Sequence, residues 1–286
     1  MSSHRISPPR VYPEATRAAR PPTELAGSAD THRQTSFILR EELDLLVEGL
    51  ELEGQHAQVA AGSKFRNRVV AAVFGPWSRG WLARLQALHA TEWGDYSSAA
   101  VLVRAAADFE AAAAAHLSDR AAEWTSWLEA GGIGEAPSLR AAEFRTHPFR
   151  SAESLARNPT LGSVYREASL FALPHLGTTA LLTASESNGE RYLATFADRD
   201  FHLGLAELVF GWLLRLGIGH AEIMRTAGAE LPPLPQKAED WAARAARLVA
   251  RRNRCRLEDI EVEGESRLIL VNWRREPRGA PKRVLV

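Results

Sequence analysis

A mainly α-helical fold is predicted by three features of this chain. Apolar residues recur at helical spacing over most of residues 36–254. An alanine-rich run near residue 110 has the highest intrinsic helix propensity available. Alternating residues are confined to short stretches around Asn188-Gly189 and after residue 259. The expected architecture is a helical bundle with an inserted β-hairpin and a small C-terminal α+β appendage.

Residues 1–34 carry Pro8, Pro9, Pro13, Pro21 and Pro22 with few large apolar side chains. Such a segment buries too little surface to offset its ordering entropy, so a disordered tail is expected. A bundle domain is expected over 35–230. Its first helix begins near Ser36, with Phe37, Leu39, Leu43, Leu46, Val47 and Leu50 at helical spacing. A second runs from Lys64 to Phe74 and should break at Gly75-Pro76; a third covers Trp77 to about Trp93. Asp95 is placed to N-cap a central helix through His116. Glycines and prolines between Gly131 and Thr160 mark a long connection, and helix resumes over Leu161–Leu173 until Pro174. Asn188-Gly189 tolerates positive φ at both positions, which predicts a hairpin near 180–196. Asp198–Arg225 forms another long helix. After a proline linker, the appendage of residues 236–286 holds a helix from Lys237 to about Arg254 and two or three antiparallel strands.

Thirty-five basic residues balance thirty-five acidic ones, so no global field draws the chain to nucleic acid or membrane. Only Lys64, Lys237 and Lys282 are lysine, which leaves 32 of the 35 as arginine. Cys255 is the only cysteine, which excludes an intrachain disulfide and a cysteine-based zinc site. Its expected state is an inert thiol. The first thirty residues hold no signal-type apolar run, and the hydrophobic stretch Leu203–Gly219 carries Glu207 and Arg215. A cytoplasmic protein without a membrane span is expected.

Tyr165 and Ser169 share a helix face, and His175 follows Pro174. A serine–histidine pair suggests nucleophilic catalysis, but no Gly-x-Ser-x-Gly elbow is present. A polar network of Tyr165, Ser169, His175, Arg104 and Asp108 at a helix junction is the simpler reading. The pattern Tyr165-x3-Ser169, His175, Gly177 and the Asn188-Gly189 turn, with the helix bearing Arg104, Asp108 and Glu110, resembles a family of uncharacterised bacterial helical proteins. That family is distantly HEPN-like. The resemblance covers roughly residues 80–225 and implies an arginine–histidine pair as the catalytic candidate. Here His175 lies farther from Ser169 than in the family pattern.

Arg84-x4-His89, Arg215-x4-His220 and Arg140-x6-His147 match such a spacing, a number that 32 arginines and nine histidines give by chance. Arg215 and His220 are the best placed, with His175 a further catalytic candidate. No metal-ligating set and no cofactor motif is expected. Arg244, Arg247, Arg251 and Arg254 form a basic stripe on the last helix, a candidate surface for RNA or DNA.

Three functional readings follow. The first is an interaction protein of bacterial stress or defence, without a catalytic site. The second is a metal-independent HEPN-type ribonuclease working as a homodimer. The third is nucleic-acid binding through the C-terminal helix.

Overall fold

The computed structural model describes residues 6–7, 9–21, 27–64, 67–228 and 230–286. The fold is mainly helical, with two small antiparallel sheets. The first four helices are α1 (Ser28–Ile38), α2 (Arg40–Lys64), α3 (Arg68–Glu92) and α4 (Tyr96–Ser118). A short α5 (Ala122–Glu129) leads into the hairpin β1 (Ile133–Ala136) and β2 (Ala141–Phe144). Then come α6 (Ala152–Arg157), α7 (Pro159–Ala172), α8 (Leu176–Thr183), α9 (Leu203–Thr226) and α10 (Gln236–Val249). The chain ends in β3 (Arg256–Val262), β4 (Glu265–Trp273) and β5 (Lys282–Leu285), an antiparallel sheet in sequence order.

Helix α4 is the centre, packed against α3, α7 and α9. Its alanines explain why. Ala99, Ala100, Ala106, Ala107 and Ala111 are fully buried, and such short side chains let neighbouring helices approach closely. Asp95 caps it by accepting the Ser98 N–H at 3.1 Å. Helix α9 is long and apolar enough to cross a membrane, yet 83% of that apolar window is buried inside the bundle.

Three expectations need correction. The hairpin lies at residues 133–144, not near 180–196. Around Asn188 the side-chain Oδ1 accepts the N–H groups of Glu190 and Arg191, both at 2.9 Å, and Ser187 Oγ accepts that of Leu193. These local bonds take the donors that a strand ladder would use. Gly75-Pro76 does not break a helix, because α3 runs through Pro76. An interior proline costs about 3 kcal/mol. Burial of Val69, Val73, Trp77 and Trp81 on either side of it opposes that loss.

The third correction concerns the disordered tail. Residues 28–34 are helical, and the segment through Arg17 is tied to the end of α3. Arg17 Nε and Nη2 donate to Glu92 Oε1 at 3.0 and 2.9 Å, and the Ala18 N–H donates to Glu92 Oε2 at 2.8 Å. The tail expected at residues 1–5, 8 and 22–26 lies outside the described residues.

The C-terminal appendage is present as expected, and it is docked on the bundle. The Trp241 ring fills a notch where Gly49 and Gly217 lack a side chain; a Cβ there would stand 2.4 and 2.5 Å from the indole. Trp241 Nε1 also donates to the Leu45 carbonyl at 2.7 Å. Its strands are the expected ones, turning at Glu263 and Gly264 with φ of 54° and 81°. Positive φ at both positions is what a two-residue type I′ hairpin turn requires.

Candidate functional site

Four charged side chains from four helices meet in the core. Glu53 comes from α2, Arg84 from α3, Glu110 from α4 and His220 from α9. All four are buried. Arg84 Nη2 donates to both Glu53 oxygens and lies 3.1 Å from Glu110 Oε1. His220 Nδ1 bonds Glu110 Oε2 at 2.9 Å, and its Nε2 lies 3.7 Å from Glu53. Trp77 Nε1 donates to Glu53 Oε1 at 2.8 Å. Gly80 lets α3 close on this point, since a Cβ there would stand 3.0 Å from Glu110 Oε1.

Two carboxylates thus face one guanidinium and one imidazole. Burial works to lower the His220 pKa, but Glu53 and Glu110 outweigh it and hold the ring above its ordinary value. Burial pushes Glu110 up, and His220 with Arg84 brings it below the usual carboxylate range. For Arg84 the same contest ends with its pKa raised by both carboxylates, burial notwithstanding. Glu53, Glu110 and His220 could offer three ligand atoms to a metal ion. However, Arg84 stands against both carboxylates, so an entering cation would have to displace a guanidinium that already balances them. The Glu53-x-x-His56 spacing belongs to carboxylate metal bundles, but His56 Nε2 turns instead to the Pro232 carbonyl at 2.9 Å.

Glu53 also reaches a cavity. A pocket of about 180 Å³ lies between α2, α3 and the N-terminal segment, lined by Tyr12, Pro13, Glu53, Phe74, Trp77 and Trp81. Both indole N–H groups are already bonded, Trp77 to Glu53 and Trp81 to the Leu50 carbonyl at 2.9 Å. The pocket therefore has aromatic walls and one buried carboxylate at its base.

The residues expected from sequence fall elsewhere. Arg215 and His220 do not converge. Arg215 donates to both oxygens of Glu167 at 2.9 Å and also to Ser163 on α7, whereas His220 faces Glu110 on α4. Five residues along a helix turn the direction by about 140°, which separates their targets. Arg104 Nη2 donates to the Tyr165 hydroxyl at 2.8 Å, and its Nε donates to Ser169 Oγ at 3.1 Å. Asp108 sits a turn beyond Arg104 and accepts from Ser151; burial raises its pKa while Arg104 opposes that rise. His175 is outside this network: it is exposed, in extended backbone before α8. Pro174 ends the helix and turns the chain away.

The basic stripe faces α2. Arg244 pairs with Glu48, Arg251 with Glu41 and Arg254 with Glu42, while Arg247 is exposed. Cys255 is buried, and burial pushes its thiol to about 12. Sequence reasoning passed over Glu53 and named Arg84 and Glu110 only apart, Arg84 by its spacing to His89 and Glu110 beside Arg104 and Asp108. Their only signal was a charge on an otherwise apolar helix face, clearest at Glu110 beside Ala111, Ala112 and Ala113. No protein-family model, curated protein or solved structure matches this chain.

Proposed function

We propose that the protein acts by binding a small molecule in the pocket between α2 and α3. The ligand has an apolar, ring-containing body and a hydrogen-bond-donating head. The carrying observation is Glu53, a carboxylate only 7% exposed at the base of an aromatic cavity. The walls of Phe74, Trp77 and Trp81 suit the body, while Glu53 suits the donor. Glu53 already accepts from Arg84 and Trp77, and the head would add a donor from the cavity side. This reading keeps the protein among those that act by interaction, as a cytoplasmic bundle serving a stress or defence response. A ribonuclease would need Arg215 and His220 at one phosphate, and they face different helices. Nucleic-acid binding loses three of its four arginines to acids of α2.

The test is a melting screen with paired aromatic compounds, each alcohol or amine set against the analogue lacking the donor. Ligand at a hundredfold its Kd stabilises by about 2.7 kcal/mol, or roughly 5–10 °C for a chain of this size. We expect donors to raise the melting temperature and to quench tryptophan fluorescence, with Glu53→Gln and Trp81→Ala each weakening binding tenfold. Donors and analogues that bind alike, or binding that both variants leave intact, would rule the reading out.

A further inference from the structure

The opposite side of α3 holds a second cavity, of about 240 Å³, between α4, α5 and the segment after β2. His116, in the last turn of α4, lines it. This residue is 2% exposed, and neither of its ring nitrogens has a hydrogen-bond partner. Buried polar groups are ordinarily bonded, and leaving one unpaired forfeits its hydration with nothing in return. A doubly unpaired imidazole aimed into a cavity is therefore a group waiting for a partner.

Two carboxylates stand beside it. One ligand atom each from His116, Asp119 and Glu123 lies within 4.8 Å of the other two. The backbone brings them together by a sharp turn between α4 and α5, where Arg120 and Ala121 adopt φ of 53° and 61°. Non-glycine residues occupy that left-handed region at an energetic cost, and such strain collects at binding sites. Glu123 Oε1 is held by His147 Nε2 at 3.2 Å, and Arg150 Nε lies 3.4 Å away. Trp124, Trp127 and Phe149 wall the cavity.

We infer that His116, Asp119 and Glu123 bind a divalent transition metal of the zinc class, with His147 positioning Glu123 from outside. One imidazole nitrogen and two carboxylate oxygens make a borderline donor set. Calcium and magnesium favour all-oxygen shells of six or more, and no thiolate is present to select copper(I) or an iron–sulfur cluster. Three protein ligands leave a four-coordinate ion one position for water or substrate, and two of them, His116 and Glu123, line the cavity. The nearby cations do not fill the site as Arg84 fills the core. Arg120 pairs with Glu230, Arg145 with Glu143, and Arg150 is 83% exposed and free to swing out.

The experiment uses the full chain, free of tag and stripped with a chelator. It is titrated with Zn2+ by calorimetry and with Co2+ by visible absorption. We expect one equivalent bound and the intense bands of a four-coordinate cobalt ion. His116→Leu and Glu123→Gln should each weaken binding at least tenfold, and His147→Gln roughly tenfold. Should His116→Leu fail to fold, Glu123→Gln and the exposed Asp119→Asn decide, with helicity checked by circular dichroism. The inference fails if the wild type shows no saturable binding, or if these variants bind within twofold of it. It also fails if Glu53→Gln removes the ion instead, which would place the metal in the core.

Discussion

His220 and His116 are both buried in the same bundle, yet their surroundings act on them in opposite directions. His220 lies between two carboxylates, bonds one of them and is held above its ordinary pKa. His116 has no bond at either nitrogen and is pushed below it, burial being the main cause. The difference lies in the partners, because both are nearly inaccessible. A buried imidazole bonded to a carboxylate joins the framework, whereas His116 has two carboxylates within 4.8 Å and a hydrogen bond to neither. The two cavities on either side of α3 inherit these characters.

The sharpest way to break the comparison is to remove each ring. Replacing His220 with leucine leaves Glu110 buried with Arg84 alone at 3.1 Å. Removing one partner of a buried charge pair costs about 3 kcal/mol or more. For a chain of this length we expect a fall in melting temperature of roughly 6–12 °C. Urea denaturation checks the free energy, and a loss under about 1 kcal/mol would mean that the four-charge cluster is not a unit.

The pH dependence sharpens it further. A raised histidine pKa contributes stability below pH 6.5 that is lost as pH rises through the folded value, so His220 favours mild acid. Lowered values do the reverse: stability present above 6.5 is lost as pH falls. His56, His116 and His202 are all of this second kind, burial being the leading cause for each. For His202 the folded value is about 4, so up to about 3 kcal/mol should vanish between pH 6.5 and 4. His202 Nδ1 caps α9 by accepting the Leu205 N–H at 3.2 Å. Asparagine can keep that cap without titrating. His202→Asn should therefore flatten the acid limb of the stability curve. An unchanged slope in chemical denaturation would assign the loss to other groups.

Much of the bundle was legible because helix formation is written locally. The alanine run of α4, the Asp95 cap and the strands after residue 255 all depend on near neighbours in sequence. The errors came where distant packing overruled a local signal. Pro76 stays inside α3 because the tryptophans beside it are buried, and Asn188-Gly189 turns on its own side chains instead of pairing strands. The site was least legible of all. Glu53 and Arg84 are 31 residues apart, Glu110 and His220 are 110 apart, and no periodicity links such charges. Arg104 with Tyr165 and Ser169 was anticipated as a network because two of its members share one turn of α7, whereas His175 left the group once Pro174 redirected the chain.

The smallest effect carries the most information, because its sign is unusual. Truncating or replacing a buried residue normally destabilises. His116→Leu removes two unpaired polar atoms and keeps a side chain of comparable bulk against Phe149, whose ring lies 5.7 Å from the imidazole. Replacing an unsatisfied polar group with an apolar one of similar shape is neutral or stabilising. In metal-free protein at pH 7 we expect a gain of up to about 1 kcal/mol, growing towards pH 5 because leucine cannot acquire the charge that burial opposes. Saturating Zn2+ should invert the order, stabilising the wild type and leaving the variant unmoved. That reversal is the signature expected of a residue whose unpaired atoms serve a ligand and not the empty fold. If His116→Leu instead loses 2 kcal/mol or more without metal, the ring has partners of its own, and the contrast with His220 collapses.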